Sequence, residues 1–314
     1  MSAPQQKVHA PQVHDPQADA PRVTVVVIVR DGETFIEEAL RSIEAQTMRS
    51  FEAVVVDDGS RDRTAELVER FIARDPKRFR LVRHGCGENR GMSASRNLGI
   101  QHARGEFITF LDHDDAMLPG KLARQASLLD AHPDVCAVIS PNIRWHSWSA
   151  TRGAGEDARA SAEVAVRDEV QDLGVACPAA IAPPGLLPIF LRRTSATPQS
   201  PMVRRAAIDA VGGFEDAFTG MYEDQVFLAK LFLHGRVFVL DEALHRYRQH
   251  DDSCVRRSHR EGLQRAARRR FLRWLRSRLS EVDSGVAAPI RRIVASELRK
   301  SWMSSLRAAV RLRR

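Results

Sequence analysis

The apolar residues in the first half of the chain follow two alternating patterns. VTVVVIV at Val23–Val29 is a continuous β-branched run, typical of a strand buried on both faces. The residues after it place apolar side chains at helical spacing from Phe35 to Ile43. Further strands are predicted at Phe51–Val56, Phe79–Val82, Phe107–Leu111 and Val135–Ile139. The helices between them are predicted at about Thr64–Ala73, Ser93–Ala103 and Lys121–Leu129. This alternation predicts an α/β fold built on a parallel, doubly wound sheet.

The second half of the chain is less regular. Arg144–Ala176 is polar and weakly periodic, which indicates an inserted surface region. Ordered structure is expected again at Leu186–Arg192 and Met202–Val211, with a helix at Glu223–Leu233 and a strand at Arg236–Leu240. Beyond Cys254 the chain is predicted to be helical and basic, with Pro289 as the break between two helices.

Composition narrows the class of protein. Of 314 residues, 43% are apolar and 28% are charged, which is typical of a globular protein with a substantial core. Every stretch of membrane-spanning length contains charges or prolines, so we expect no spanning helix. Residues 1–21, rich in Pro, Gln, His and Ala, have no apolar segment of a secretory signal and predict a disordered leader. The four cysteines are far apart in sequence, which favours reduced thiols in a cytosolic protein.

The net charge of +8 is unevenly distributed. Residues 256–314 hold 18 Lys and Arg against 4 Asp and Glu, whereas residues 1–255 hold 30 against 36. The sequence therefore predicts a mildly acidic body followed by a strongly basic C-terminal segment.

Acidic residues follow three of the predicted strands. They are Asp31 after the first strand, Asp57 and Asp58 after the second, and Asp112, Asp114 and Asp115 after the fourth. Parallel strands bring their carboxyl ends to one edge of a sheet, where open α/β sheets bind ligands. Carboxylates crowded there repel one another unless a cation or a hydroxyl-rich ligand offsets them. Asp112-x-Asp114 could hold one hard cation. Each of these turns alone is more typical of a helix cap or turn, but three of them at strand ends favour a ligand site.

The motifs of two common nucleotide-binding sites are absent from the sequence. The first strand is not followed by G-x-G-x-x-G, and the chain contains no G-x-x-x-x-G-K-[ST]. The sequence therefore argues against a dinucleotide-binding site and against a P-loop.

The chain from Val23 to about Ser253 resembles the family 2 glycosyltransferases. The segments that carry the resemblance are VVVIVRDGETFIEEALRSIEAQT, FEAVVVDDGSRDRT, NRGMSASRNLGI, GEFITFLDHDDAMLPGKL, MYEDQVFLAKLF and RYRQHDDSC. The resemblance implies a GT-A fold: a Rossmann-like, mostly parallel sheet flanked by helices, here followed by a basic helical segment. It implies a nucleotide-binding half at 22–140, an acceptor-binding and catalytic half at 141–254, and a separate segment at 255–314.

The resemblance also implies a reaction and its residues. A cytoplasmic enzyme of cell-envelope glycan assembly would transfer one sugar, with inversion, from a nucleotide-diphosphate donor to a hydroxyl of a glycan or lipid-linked acceptor. Val29, Asp31, Asp57 and Asp58 match the positions that hold the nucleoside, and Arg96 the position that approaches its phosphates. The remaining candidates match the metal and catalytic positions of the family. Asp112, Asp114 and His250 would bind Mn²⁺ or Mg²⁺, and Asp112 would also contact the nucleotide sugar. Asp224 would be the general base, with Glu223 beside it as the second catalytic residue.

The chain also departs from the family pattern. Ile28-Val29-Arg30-Asp31 stands where Pro-x-Tyr-Asn is common, so base stacking must differ. The chain contains no Q-x-x-R-W, a motif typical of processive synthases, which favours single-sugar transfer. A non-catalytic, sugar-nucleotide-binding or membrane-recruited relative is the alternative.

The basic segment leaves three interpretations open. Leu263, Ala267, Phe271, Leu275 and Leu279 have near-helical spacing, with Trp274 beside them and arginines around them. Such a helix could contact an anionic membrane surface through residues 256–280, or pack its apolar stripe on the domain. Nucleic-acid binding is the weakest interpretation and is not expected, since basic charge alone has little specificity.

Overall fold

The structure is a computed structural model that describes residues 20–85, 87–149, 167–193, 198 and 200–311. Most of the predicted leader, Cys86 and much of the predicted insertion lie outside these residues.

The first part of the chain forms the strands and helices that the pattern predicts. The strands are β1 (Val23–Val29), β2 (Phe51–Asp57), β3 (Phe79–Arg83) and β4 (Phe107–Asp112). The helices are α1 (Ile36–Glu44), α2 (Thr64–Ile72) and α3 (Met92–His102). All seven residues of β1 are buried, and alternate residues belong to the two apolar clusters on opposite faces of the sheet. Pairing on both edges with β2 and β4 explains why this strand is the most apolar.

The second part of the chain completes this sheet and builds a smaller one. Its strands are β5 (Ala116–Met117), β6 (Val135–Ile139), β7 (Asn142–Trp145), β8 (Glu169–Val170), β9 (Ala179–Ile181), β10 (Met202–Arg204), β11 (Arg236–Val239) and β12 (His245–Arg248). Its helices are α4 (Lys121–Ala131), α5 (Leu186–Arg192), α6 (Arg205–Val211) and α7 (Glu223–His234).

The large sheet is mixed. Its order is β3-β2-β1-β4-β10-β6-β11-β9, and four of its seven pairings are parallel. The mostly parallel sheet flanked by helices is thus confirmed, but a wholly parallel sheet is wrong because β10 runs antiparallel between β4 and β6. A strand of three residues is too short for its sequence pattern to indicate how it pairs with its neighbours.

A second sheet, in the order β5-β12-β7-β8, lies where the sequence predicted only loops and an insertion. Strand β12 pairs with β5 through His245 and Met117, and with β7 along its full length. This pairing holds the residues after β4 against residues more than a hundred positions later.

The basic segment forms α8 (Cys254–Arg260), α9 (Gln264–Arg278) and α10 (Ser284–Arg311). Phe271, Leu272, Leu275 and Leu279 are buried in the same core cluster as α7. Packing of the stripe on the domain is therefore confirmed, and insertion of these side chains into a membrane is wrong. Leu263, the first residue of the predicted stripe, remains 49% exposed.

The predicted helix break at Pro289 is also wrong, because Pro289 lies inside α10. Proline there gives up only the bond to the carbonyl of Gly285, about one turn from the helix start. The break falls instead at Val282-Asp283, where the Asp283 carboxylate accepts hydrogen bonds from the N–H groups of Gly285 and Val286. Among the described residues, no helix has the length and apolar character to cross a membrane.

Candidate active site

The acidic strand ends meet at one edge of the large sheet, as the parallel strands require. Val29 pairs with Asp57 and Ile28 with Asp112, so the ends of β2 and β4 flank the end of β1. The candidate nucleotide residues and the candidate metal residues thus lie on adjoining strands.

The carboxylates of the candidate nucleoside-binding residues also form hydrogen bonds that hold the surrounding loops in place. Both oxygens of buried Asp58 accept backbone hydrogen bonds, from Arg90 at 2.7 Å and Gly91 at 2.9 Å. Asp57 accepts from the N–H of Ser60 at 2.9 Å, and Asp31 from the N–H of Arg61 at 2.8 Å. Of the three, Asp31 has the most open side chain, 48% exposed, and is the one best placed for a ligand.

The backbone conformation and close surroundings of position 59 explain why the Asp-Asp-Gly-Ser turn has a glycine there. Its φ is +77°, and a Cβ there would lie 2.8 Å from the carbonyl oxygen of Gly87. A larger residue would push apart the two loops that Asp58 joins.

The candidate metal residues come together from two distant segments. Carboxylate oxygens of Asp112, Asp114 and Asp115 lie within 4.8 Å of one another, and Asp114 Oδ2 is 2.9 Å from His250 Nε2. Burial opposes ionisation of Asp114, but the hydrogen bond from His250 and the charges of His113 and His250 lower its pKa to about 2. Carboxylate oxygens beside an imidazole nitrogen are a ligand set that fits a divalent ion such as Mn²⁺.

Asp115 has a structural role that the sequence analysis missed. Its Oδ1 accepts from the N–H of Arg248 at 2.9 Å, and its Oδ2 lies 2.9 Å from Nε2 of buried His245. Burial, together with the charges of Asp114 and Asp112, raises the pKa of Asp115. Because its oxygens are occupied, Asp115 anchors the loop to β12 and leaves Asp112 and Asp114 for an ion.

Arg248 is a second anchor that the sequence did not reveal. Its side chain is fully buried, donates to the carbonyl of Asp114 at 2.6 Å, and pairs with Glu38 at 2.7 Å. The guanidinium carbon also lies 4.2 Å from the centre of the Trp145 ring, a cation–π contact. Arg248 therefore ties the metal loop to β7 and α1.

Arg96, the candidate phosphate ligand, is held between two site carboxylates. Its side chain is 6% exposed, with one terminal nitrogen 2.5 Å from Glu223 and the other 2.7 Å from Asp112. Burial opposes its charge, but the charges of Asp112 and Glu223 outweigh burial and raise its pKa. Arg96 thus joins the end of β4 to the start of α7.

Asp224 lies in the first turn of α7, and its Oδ1 accepts from the N–H of Gln225 at 2.7 Å. Burial and the neighbouring charge of Glu223 raise its pKa to about 7. Tyr222, before the helix, has a left-handed φ of +76°, and its ring stacks on Phe271 of α9 at 5.4 Å. The basic segment therefore supports the turn that presents Asp224.

A cavity of about 640 Å³ opens beside these residues. Asp112, Asp114, Glu223 and Asp224 line it, together with residues of α8 and α9. The nucleotide group of Val29, Asp31, Asp57 and Asp58 does not line this cavity but lies at the adjoining strand ends.

Comparisons with known proteins agree with this geometry. Residues 24–163 match the model of glycosyl transferase family 2. EpsH of Bacillus subtilis is 41% identical over 101 residues, 32% of this chain and 28% of its own length. EpsE of the same organism is 26% identical over 240 residues, 76% of this chain and 77% of its own.

Solved structures share the fold. TarS 1–349 of S. aureus in complex with UDP-GlcNAc has a TM-score of 0.64 at 22% identity, covering 88% of this chain and 71% of that one. The mannosyltransferase PcManGT of Pyrobaculum calidifontis, in complex with GDP-Man and Mn²⁺, has a TM-score of 0.57 at 19% identity, covering 93% and 76%. Residues 24–163 thus match glycosyl transferase family 2, and the described chain shares the GT-A fold of these solved structures.

Proposed function

We propose that the protein is an inverting, metal-dependent glycosyltransferase that moves one sugar from a nucleotide-diphosphate donor to an acceptor hydroxyl. The observation that carries the proposal is the shared cavity, in which Asp224 lies with Asp112 and Asp114. An acid–base group and a metal-ligand pair on one cavity are what a single displacement with a diphosphate leaving group requires.

The candidate metal residues suit the leaving group. Asp112, Asp114 and His250 would hold Mn²⁺ or Mg²⁺. When bound, the ion would neutralise the negative charge that develops on the departing diphosphate. The solved relative with GDP-Man and Mn²⁺ supports this choice, and the relative with UDP-GlcNAc supports a nucleotide-sugar donor.

Asp224 is the proposed general base. The acceptor oxygen bonds to the anomeric carbon, the bond from that carbon to the phosphate oxygen breaks, and the acceptor proton goes to the Asp224 carboxylate. A pKa of about 7 makes this carboxylate a far stronger base than an exposed aspartate at neutral pH. Glu223 is paired with Arg96, so we assign it to positioning rather than to proton transfer.

The nucleoside would lie over the ends of β1 and β2. Asp31, with its exposed carboxylate, is the proposed partner of base or ribose hydrogen-bond donors beside Val29, Asp57 and Asp58. Arg96 positions Asp112 and Glu223 in this proposal and does not contact phosphate.

A cytoplasmic location with peripheral membrane contact is part of the proposal. Because the apolar stripe of α9 is buried, such contact would depend on exposed Leu263 and the arginines around it. Binding to vesicles containing anionic lipid, falling steeply with salt, would support it.

Thermal stabilisation by nucleoside diphosphates and their sugars, with Mn²⁺, Mg²⁺ or EDTA, tests the donor site. A ligand at about 100 times its Kd should stabilise the protein by roughly 2.7 kcal/mol. We expect metal-dependent stabilisation by one nucleotide, abolished in Asp112→Ala. Stabilisation without turnover of the donor by any acceptor would favour the non-catalytic alternative, and stabilisation by none would contradict a donor site.

A further inference from the structure

Residues of both charges line the cavity beside Asp224. Asp112, Asp114 and Asp224 line it, from the end of β4, the loop after it and the start of α7. His259, Arg265 and Arg268, from α8 and α9, line it as well. We call these three residues the cationic wall. They come from one ten-residue stretch of the basic segment.

Part of this wall is not used in holding the protein together. Within the part of the chain that the structure describes, the side chains of Arg265 and His259 form no ion pair and no hydrogen bond. Arg268 pairs with Glu297 at 2.9 Å and donates to the carbonyl of Leu191 at 2.9 Å. Its remaining terminal nitrogen, Nη1, is buried and has no hydrogen-bond partner among the described residues. Near the sheet, Arg96 and His250 differ, since each lies within hydrogen-bond distance of a site carboxylate.

The position of the wall indicates which substrate it would contact. The candidate nucleoside residues Asp31, Asp57 and Asp58 do not line the cavity, whereas the proposed base Asp224 does. An acceptor whose hydroxyl reaches Asp224 would therefore enter the cavity that Arg265 also lines. At about 640 Å³ the cavity falls within the usual range for small-ligand pockets, which is about 300–1,000 Å³.

We propose that the acceptor carries an anionic group, a phosphate or a carboxylate, which the cationic wall binds while the acceptor hydroxyl faces Asp224. This inference rests on the proposed function, because it names the class of acceptor for the same site. Arg265 supplies the main contact, since a guanidinium donates two parallel hydrogen bonds to either anion. His259 and Arg268 add donors at the side.

The test titrates inorganic phosphate, acetate and uncharged methyl glucoside into the protein, with thermal stabilisation as the readout. The donor site is first saturated with the nucleoside diphosphate and Mn²⁺ that stabilise the protein, so that the probes cannot bind there. We expect saturable stabilisation by phosphate or acetate but not by methyl glucoside. The stronger of the two anions identifies the group, phosphate or carboxylate.

The variants are Arg265→Gln and, as a matched control, Arg273→Gln. Both arginines are exposed residues of α9 without an ion pair among the described residues, but Arg273 does not line the cavity. We expect Arg265→Gln to weaken anion binding about tenfold or more, as loss of a charged hydrogen bond does, and Arg273→Gln to match wild type. Equal anion binding in the two variants, or no preference of the wild type for anions, would overturn the inference. Failure of every nucleotide to stabilise the protein would instead count against the proposed function, and the anion titration would then be run without nucleotide.

Discussion

Asp114 Oδ2 and His250 Nε2 lie 2.9 Å apart, although 136 residues separate them along the chain. Strand β12 brings them together, because it pairs with β5 just after the acidic loop and ends two residues before His250. The pair is part of the proposed site for a divalent ion, and its contribution to metal binding can be measured.

Replacing His250 should weaken metal binding without unfolding the protein. We expect His250→Asn to raise the Kd for Mn²⁺ by at least about 10–100-fold, because losing a ligand should cost no less than losing a group that orients one. Calorimetric titration of Mn²⁺ into the nucleotide-saturated protein measures this change. His132→Asn is the control, since His132 stacks on Phe238 away from the site. An unchanged Mn²⁺ affinity in His250→Asn would remove His250 from the metal site.

Asp224→Asn keeps the shape of the side chain and removes its ability to accept a proton. General-base catalysis contributes about 10²–10⁴-fold, so kcat should fall by that factor. Donor binding should change little, because the nucleoside candidates lie at the adjoining strand ends. Steady-state kinetics beside a nucleotide titration separates the two effects, and exposed Asp209→Asn on α6 should behave like wild type. A variant that keeps full turnover would exclude Asp224 as the base.

The raised pKa of Asp224 predicts the pH dependence of the wild-type enzyme. Burial first, and then the charge of Glu223, raise this pKa to about 7. Below that pH the carboxyl is protonated and cannot accept the acceptor proton, so kcat/KM should fall about tenfold per pH unit. Above it the rate should reach a plateau. A profile that stays flat down to pH 5, or residual activity of Asp224→Asn with the same pH dependence as wild type, would contradict the assignment.

Sequence patterns predicted the first part of the fold closely, because burial on both faces forces long apolar runs. β1 and β6 begin and end where predicted, and α1 buries the expected residues Ile36, Leu40 and Ile43. The acidic strand ends also meet as predicted, since parallel strands determine where their carboxyl ends lie.

Short strands and long-range pairing were beyond what the sequence could predict. β5 has two residues and β10 three, too few to show a period of two. The roles of Asp115 and Arg248 depend on contacts across 133 or more residues, which no local pattern contains. For Arg96 the residue type suited phosphate equally well, and only burial between Asp112 and Glu223 distinguishes the two roles.

Arg96 should contribute to stability as well as to the geometry of the site. Arg96→Met would leave Asp112, Glu223 and Asp224 close together without the guanidinium, and breaking a buried ion pair costs about 3–5 kcal/mol. Urea unfolding measures this loss. Arg96→Lys keeps the charge but cannot reach both carboxylates equally, so it should recover part of the stability. A loss below about 1 kcal/mol, the value of a surface pair, would contradict the structural role.

The packing of α9 on the domain predicts that two leucines of the same stripe contribute very differently to the free energy of unfolding. Leu275 is fully buried and Leu263 is 49% exposed. Leu275→Ala should therefore lower the free energy of unfolding by about 2–5 kcal/mol, the usual cost of a core cavity. Leu263→Ala should stay within about 0.5 kcal/mol of wild type, as most surface substitutions do. Because Leu275 and Phe271 lie in the same buried face that supports Tyr222, Leu275→Ala should also reduce turnover more than Leu263→Ala. If urea unfolding gave equal and small losses for both, the stripe would not be packed in solution, and its apolar side chains would be free to contact a membrane.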